Sequence, residues 1–198
     1  MGSRALAAVL LDRDGTINLD SGYVCEPQTV ELIDGVWEGI AILKRAGFLV
    51  IVVSNQSAVG RGLGTIADVD ATNDEITKQL LRKNEHAVVD AMFYCPHHPD
   101  QGCDCRKPQP GLFRQVQQQW NIDPQQSWMI GDKLRDLEFA GNIGIPPEQQ
   151  ILVLTGEGQV EFKRSQLEKR QVLVQENLQE AAKIIVSRCN SGKKCEKK

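Results

Sequence analysis

The sequence contains no long hydrophobic run, no excess of positive charge and no nucleotide-binding glycine motif. The net charge of its 198 residues is -3, which gives no reason to expect a nucleic acid as a partner. The stretch GRGLG at residues 60–64 lacks both the spacing of the dinucleotide fingerprint and the glycine-lysine pair of a P-loop. These absences leave a small molecule as the expected partner.

The beginning of the sequence is poorly suited to secretion or membrane insertion. Its only apolar stretch, residues 5–11, follows a single Arg4, stops at Asp12 and lacks a small-residue cleavage site. This stretch is too short to span a bilayer. We therefore expect a cytoplasmic protein without a membrane partner, in which clustered cysteines indicate a metal site rather than a disulfide.

Length and composition predict one domain. Hydrophobic residues make up 41% of the chain and charged residues 25%, which are ordinary values for a globular protein. The chain is short for two full domains. We assign residues 1–189 to a single domain and residues 190–198, which read NSGKKCEKK, to a flexible basic tail. We also expect a monomer.

Apolar stretches alternate with segments of helical spacing along the chain. Strands are predicted at residues 5–11 and in FLVIVVSN, AMFYC, SWMIGD and ILVL. Helices are predicted in GVWEGIAILKRAG, from about residue 66 to residue 84, and after Pro110. This order is typical of βαβ crossovers and predicts an α/β fold with a three-layer, doubly wound, mostly parallel sheet.

Three polar residues lie at the carboxyl ends of different predicted strands: Asp12, Ser54 and Asp132. Ligands bind beyond the carboxyl ends of the strands in such sheets, so these side chains are expected to converge. In LLDRDGTIN, Asp12 and Asp14 would repel by about 4 kcal/mol at 4 Å unless a cation compensates. Oxygen ligands suit Mg²⁺, and GDKLRD supplies further carboxylates in Asp132 and Asp136. The alternative is that Asp12 or Asp14 merely caps a turn.

Groups that bind phosphate follow in SNQS and RKPQPG. Ser54 and Asn55 can hydrogen-bond phosphate oxygens beside exposed backbone N–H groups. Lys107 is a compact positive charge suited to a phosphoryl group, and Arg106 can bind a second anionic group through two hydrogen bonds. Each residue alone could be a solvated surface residue, but together they indicate a phosphorylated substrate.

The stretch CPHHPDQGCDC at residues 95–105 predicts a zinc loop. Three thiolates and one imidazole can surround a tetrahedral zinc with no open position, which is typical of a structural site. The adjacent His98 is the alternative imidazole ligand, although the Cys-x-His alternation favours His97, and reduced free cysteines are the alternative to a metal site. The predicted ligands are Cys95, His97, Cys103 and Cys105.

The segments DRDGT, SNQS, the lysine of RKP and GDKLRD, in that order, resemble the four motifs of the haloacid dehalogenase superfamily of phosphatases. The resemblance covers residues 6–154 and implies this family's Rossmann-like fold, with no room here for a large cap domain. It implies that Asp12 is the nucleophile, forming an aspartyl-phosphate, and that Asp14 is the general acid and then activates water. It also implies that Mg²⁺ is held by the Asp12 carboxylate, the Asp14 backbone carbonyl and Asp132. Ser54 and Lys107 are expected to take part in catalysis at the phosphoryl group.

The predicted zinc loop resembles that of particular members of this superfamily. CPHHP before CDCRKP is similar to the D-glycero-D-manno-heptose 1,7-bisphosphate 7-phosphatases and the histidinol-phosphatases, and DSGYV resembles the substrate loop of that subfamily. The resemblance and the phosphate-binding segments together predict the following substrate contacts: Asp20, Ser21, Gly22, Tyr23, Asn55, Gln56, Ser57, Arg106 and Lys133.

The expected function is Mg²⁺-dependent removal of the 7-phosphate of heptose 1,7-bisphosphate, in a protein that also holds Zn²⁺. Histidinol phosphate is the alternative substrate, but histidinol is a cationic amine, whereas Arg106 favours a second phosphate. A non-catalytic, zinc-stabilised binding protein on the same fold is the remaining alternative. The presence of Asp12 and Asp14 together with Lys107 and Asp132 argues against it.

Overall fold

The central strands consist of unbroken apolar runs, as expected where a parallel sheet is covered on both faces. The computed structural model describes residues 5–20, 22 and 26–191. In this part of the chain, one parallel sheet contains β1 (Ala8–Leu11), β2 (Leu49–Asn55), β3 (Ala91–Cys95), β4 (Trp128–Gly131), β5 (Gln150–Val153) and β6 (Leu173–Gln175).

The strand order is β3-β2-β1-β4-β5-β6. Leu11, the last residue of β1, lies opposite Val52 in β2 and Ile130 in β4. The chain therefore winds outward in opposite directions from β1 and β4, and the crevice that this reversal opens lies beyond the carboxyl ends of the strands.

Helices cover both faces of the sheet. On one face Val9 of β1 belongs to a core cluster with Ile40, and on the other face Leu10 belongs to a cluster with Phe139. All four of these side chains are fully buried. The helices are α1 (Val36–Arg45), α2 (Ile66–Lys83), α3 (Gly111–Gln119), α4 (Leu134–Asn142), α5 (Gly158–Leu167) and α6 (Leu178–Ser191).

The predicted fold class is confirmed, and the five predicted strands and three predicted helices are present. The sequence patterns miss β6 and the last three helices. β6 is a strand of three half-buried residues, and in α5 only Gly158 and Ser165 are buried, so neither segment shows a clear apolar period. In α4 the helix starts inside the polar GDKLRD segment, where chemistry rather than burial sets the residue types.

The segment between β2 and Lys107 folds as α2, β3 and the Cys/His-rich loop, with no separate cap domain among the residues described. Helix α2 begins at a capping box in which Thr65 and Asp68 exchange hydrogen bonds. None of the helices within residues 26–191 is sufficiently long and apolar to cross a membrane. The predicted domain boundary at residue 189 falls inside α6, and residues 192–198 of the predicted tail lie outside the described part.

Candidate active site

A cleft of about 910 Å³ lies beyond the carboxyl ends of β1, β2 and β4. Eleven of the thirteen predicted catalytic and substrate residues line it, whereas Ser21 and Tyr23 lie outside the described residues. The structure therefore brings together Asp12, Asp14, Asp20, Gly22, Ser54, Asn55, Gln56, Ser57, Arg106, Lys107 and Lys133.

An ion pair between Asp12 and Lys107 forms the floor of this cleft. Both residues are buried, and the Nζ atom of Lys107 lies 2.9 Å from the Oδ1 atom of Asp12. Burial opposes the ionisation of Asp12, but the charge and hydrogen bond of Lys107 and the charge of Lys133 hold its pKa below the usual value. Asp12 is therefore an unprotonated carboxylate at the floor of the cleft.

Two other side chains fix Lys107 in place. The Nζ atom lies 2.7 Å from the Oδ1 atom of Asp136, which is itself fully buried. The side chain of Asn55 accepts a hydrogen bond from the Lys107 backbone N–H (2.9 Å) and donates one to its carbonyl oxygen (3.1 Å). Asn55, predicted to contact the substrate, thus also clamps the backbone of the lysine.

Asp12, Asp132 and Asp136 form a carboxylate cluster in which one oxygen of each lies within 4.8 Å of the others. Asp132 is fully buried: its Oδ2 atom accepts a hydrogen bond from the backbone N–H of Glu157 (2.9 Å), and its Oδ1 atom has no hydrogen-bond partner among the described residues. Burial and the charge of Asp12 raise the pKa of Asp132 to about 8 and that of Asp136 to about 6. The free oxygen and the concentrated negative charge fit a hard divalent cation such as Mg²⁺.

The loop after β5 closes this cluster from the side. A side chain at Gly15 or Gly156 would collide with the carboxylate of Asp132, and both glycines have positive φ angles, 82° and 55°. The hydroxyl of Thr155 donates a hydrogen bond to the carbonyl oxygen of Gly15 (2.7 Å). Backbone from two distant loops can approach Asp132 this closely because neither position carries a side chain.

Four hydrogen bonds hold the carboxyl group of Asp14. The Nε and Nη2 atoms of Arg13 donate to its two oxygens, each at 3.0 Å, and the side-chain amides of Asn18 and Gln56 donate at 3.0 and 2.7 Å. Gln56 also donates to the hydroxyl of Ser54 at 2.7 Å. Gln56 and Ser54 therefore belong to one polar network with Asp14.

Lys133 connects the substrate loop to the rim of the cleft. Its Nζ atom lies 3.1 Å from the Oδ2 atom of Asp20 and 3.1 Å from the Oε1 atom of Glu157. Burial opposes its positive charge, but nearby carboxylates, Asp132 first, raise its pKa above the usual value. The predicted substrate residues Asp20 and Lys133 are paired with each other, and Gly22 donates its backbone N–H to Asp20 (3.1 Å).

Three arginines line the cleft next to the predicted zinc loop: Arg61, Arg106 and Arg135. Burial and the like charges of Arg135 and Arg61 lower the pKa of Arg106. The Nη1 atom of Arg106 is buried and has no hydrogen-bond partner within the described residues. This corner of the cleft thus concentrates positive charge and offers an unused donor.

The predicted zinc ligands meet in one cluster. The Sγ atoms of Cys95, Cys103 and Cys105 lie 3.2–3.6 Å apart, and the Nδ1 atom of His97 lies 3.1 Å from the Sγ atom of Cys105 and 3.6 Å from that of Cys95. All three cysteines are free thiols. Three sulfurs and one imidazole nitrogen that converge in this way can hold a zinc ion in a closed, structural site.

The two adjacent histidines have different surroundings. His97 faces the thiols, whereas His98 caps a short helical turn by accepting a hydrogen bond from the backbone N–H of Asp100 (3.2 Å). Burial raises the pKa of Cys95. At Cys103 burial has the same tendency, but hydrogen bonds from Cys95 and Cys105 and from backbone N–H groups lower its pKa. Thiols this close can bind a metal that takes them as thiolates.

Comparison with known proteins agrees with this geometry. A family model described as HAD-hydrolase-like, where HAD stands for haloacid dehalogenase, matches residues 104–181. A D-glycero-β-D-manno-heptose-1,7-bisphosphate 7-phosphatase of Escherichia coli O6:H1 is 40% identical over 161 residues, 78% of this chain and 83% of that protein. The protein of the same name from Haemophilus ducreyi is 40% identical over 158 residues, 75% of this chain and 84% of that protein. The chain belongs to the HAD-like phosphatases.

Solved structures similar to this HAD-like phosphatase include two D,D-heptose 1,7-bisphosphate phosphatases. The crystal structure of a D,D-heptose 1,7-bisphosphate phosphatase from B. bronchiseptica, complexed with magnesium and phosphate, has a TM-score of 0.83 and 34% identity, covering 93% of this chain and 100% of that chain. The corresponding phosphatase from Burkholderia thailandensis has a TM-score of 0.68 and 28% identity, covering 91% of this chain and 99% of that chain.

Several residues of this HAD-like phosphatase site are not among the predicted contacts. The sequence-based prediction includes Asp136 only as an additional carboxylate. In the structure Asp136 forms an ion pair with Lys107. Arg61, Arg135 and Glu157 line the cleft, and Arg13 holds Asp14. Arg13 and Arg135 lie inside the recognised motifs, so their position in the sequence could have indicated them, whereas Glu157 follows β5, where no motif marks it.

The raised pKa of Asp132 predicts that metal-free protein loses stability with increasing pH. The folded chain retains a proton that the unfolded chain releases, so stability falls between about pH 4 and about pH 8. We expect Asp132→Asn to raise the melting temperature of metal-free protein at pH 8 by about 2–8 °C, corresponding to about 1–2 kcal/mol. It should also abolish any increase on adding Mg²⁺. The exposed Asp74→Asn is the control, and a lower melting temperature for Asp132→Asn at pH 8 would contradict this prediction.

The zinc cluster predicts different effects for the two adjacent histidines. Purified protein should contain one zinc per chain, and His97→Ala should lose it and melt about 10 °C or more lower, because a structural metal contributes directly to folding. His98→Ala should keep its zinc. Chelation of the wild-type protein should lower stability and substrate affinity, since Arg106 follows Cys105 directly. Unchanged melting and KM after complete zinc removal would count against this assignment.

Proposed function

We propose that this phosphatase removes a phosphate from a small phosphorylated sugar, namely the 7-phosphate of D-glycero-D-manno-heptose 1,7-bisphosphate, through an aspartyl-phosphate on Asp12. The observation that carries the proposal is the buried pair of Asp12 and Lys107, 2.9 Å apart at the floor of the cleft. An ionised carboxylate beside a fixed positive charge is suited to attack an anionic phosphoryl group.

In the first step, the Asp12 carboxylate attacks phosphorus and the bond from phosphorus to the leaving oxygen breaks. Lys107, held by Asp136 and Asn55, offsets the repulsion between the two anions and stabilises the oxygens of the transferring group. Ser54 and Ser57 line the same wall of the cleft. Their hydroxyl groups and the adjacent backbone can bind the phosphoryl oxygens.

Asp14 acts as the general acid and then as the general base. Its carboxyl group protonates the leaving oxygen as that oxygen departs as an alcohol, and then accepts a proton from the water that hydrolyses the aspartyl-phosphate. Inorganic phosphate and free Asp12 are the products of this second step. General acid–base catalysis of this kind contributes about 10²–10⁴-fold to the rate.

The carboxylates of Asp12 and Asp132 and the backbone carbonyl of Asp14 are the residues that would hold Mg²⁺. When bound, Mg²⁺ neutralises charge on the transferring phosphoryl group and orients it. Asp132 is suited to this role because its Oδ1 atom is buried without a hydrogen-bond partner among the described residues. The zinc cluster supports the loop that ends at Arg106 and Lys107 and takes no part in the chemistry.

The choice of heptose bisphosphate over histidinol phosphate rests on two observations. The relatives at 40% identity are named for the heptose substrate, and three arginines line the part of the cleft next to the zinc loop. Positive charge there favours a second phosphate and disfavours the cationic amine of histidinol. The complete set of Asp12, Asp14, Lys107 and Asp132 disfavours a non-catalytic binding protein.

The proposal includes a cytoplasmic monomer that acts on a free small molecule, without nucleic acid or membrane as a partner. Three cysteines clustered with a histidine suit a metal site rather than a disulfide, as in a reducing compartment. A net charge of -3 gives no general attraction to nucleic acid.

Phosphate release from a substrate panel tests the proposed function. With Mg²⁺ present, heptose 1,7-bisphosphate should be the preferred substrate over histidinol phosphate, and removal of Mg²⁺ should abolish turnover. Asp12→Asn should lower kcat by about 10⁴-fold or more while the protein stays folded, because the nucleophile is lost. Normal turnover by a folded Asp12→Asn protein, or no release from any substrate with Mg²⁺ present, would refute the proposal.

The positive corner of the cleft predicts a selective loss of substrate affinity. Arg106→Ala should raise KM for the bisphosphate by about 10–100-fold, because a hydrogen bond between charged groups contributes about 1.5–3 kcal/mol. Its effect on an aryl monophosphate without a distal phosphate should be small. Arg114→Ala is the matched control, since Arg114 is exposed and pairs with Asp104. Equal losses on both substrates would contradict a role at the second phosphate.

A further inference from the structure

Arg13 heads the largest fully buried side chains of the described residues, with 1% of its surface exposed. It lies between the two aspartates of the DRDGT segment, yet the proposed chemistry assigns it nothing. Burying a guanidinium group is unfavourable unless its charge and its N–H groups are paired. A buried arginine at this position therefore needs partners, and those partners define what it does.

The described partners of Arg13 are polar groups of the site or its wall. Nε and Nη2 form a fork with the two oxygens of Asp14, at 3.0 Å each. Nη2 also donates to the Oε1 atom of Gln56 (2.9 Å), and Nη1 donates to the Oδ1 atom of Asn73 (3.0 Å) in α2. One planar group thus links the Asp14 carboxyl to a helix that lies outside the catalytic loops.

This arrangement restricts the carboxyl group of Asp14 in a specific way. Two parallel hydrogen bonds from a planar fork fix both the position and the plane of a carboxyl group, which a single donor cannot do. The contact with Asn73 prevents the guanidinium from rotating, because α2 is packed into the core through Ile76 and Leu80. A lysine could supply the charge but not this geometry.

We propose that Arg13 is a positioning residue, which orients Asp14 for proton transfer to the leaving oxygen, anchored by Asn73 of α2. The inference rests on the proposed function, in which the Asp14 carboxyl gives its proton to the oxygen that leaves phosphorus. In its described contacts, the Arg13 side chain meets the site at Asp14 and Gln56. Its effect on the reaction passes through Asp14.

A comparison of leaving groups separates this role from a purely structural one. An alkyl phosphate, such as a sugar phosphate, needs a proton on its leaving oxygen, whereas p-nitrophenyl phosphate releases a stable anion and needs little protonation. A displaced general acid should therefore slow the alkyl substrate selectively. The quantity to measure is the ratio of kcat/KM for heptose bisphosphate to kcat/KM for p-nitrophenyl phosphate, in wild type and variants.

Arg13→Met, which keeps length but removes every donor, should lower this ratio by about 10²-fold, the scale of general acid catalysis and of a misplaced catalytic group. Arg13→Lys should recover only part of the loss, because the fork is absent. Asn73→Ala removes one anchor at a half-buried position and should lower the ratio by about 3–10-fold, a partial version of the same loss. Lys78→Ala, at an exposed position further along α2, should leave the ratio unchanged.

The outcomes distinguish the inference from the proposed function. Equal losses on both substrates in folded Arg13→Met would show that Arg13 supports the structure alone and would overturn the inference. If Arg13→Met does not fold, Asn73→Ala decides, and an unchanged ratio in that variant overturns it. If the wild-type protein hydrolyses neither substrate with Mg²⁺ present, the proposed function itself fails.

Discussion

The site depends on one buried lysine placed between two buried carboxylates. Lys107 lies 2.9 Å from Asp12 and 2.7 Å from Asp136, and truncating one partner of such a group is expected to cost about 3–5 kcal/mol, because the remaining charges stay buried. The doubly wound sheet makes this arrangement possible, since it delivers Asp12 and Asp136 from opposite sides of its reversal point while Asn55 of β2 clamps the lysine backbone. The position of the buried lysine therefore depends on the strand order of the sheet.

The same constraint leaves the site with unbalanced negative charge. Lys107 is shared between Asp12 and Asp136. Burial and the charge of Asp12 raise the pKa of Asp132, and its Oδ1 atom has no hydrogen bond among the described residues. A divalent cation is the group that such a site accepts most favourably. The buried carboxylate of Asp132 thus lowers the stability of the metal-free protein and favours binding of a cation, as is common at functional sites.

Much of this site could be predicted from the sequence because parallel strands end at one edge of the sheet. Polar residues directly after apolar runs, such as Asp12 and Asp132, could be placed together on that ground alone. Contacts between distant segments could not be predicted, such as the one between Asn55 and Lys107, which are 52 positions apart. The direction of a side chain depends on packing that local sequence patterns do not contain. For the same reason the two hydrogen bonds from Arg13 to Asp14 could not be predicted. Helix α5 was missed for a different reason, because its few buried residues leave no apolar period to detect.

Three consecutive residues lie in three parts of the site: Cys105 belongs to the thiol cluster, Arg106 lines the positive corner of the cleft and Lys107 pairs with Asp12. Consecutive Cα atoms are only about 3.8 Å apart across a trans peptide bond, so a shift of the thiol cluster is transmitted directly to the lysine. The protein consequently cannot exchange its zinc loop for an unrelated loop as freely as most surface connections allow. We therefore expect the supply of zinc, through this short tether, to influence the hydrolysis of phosphate.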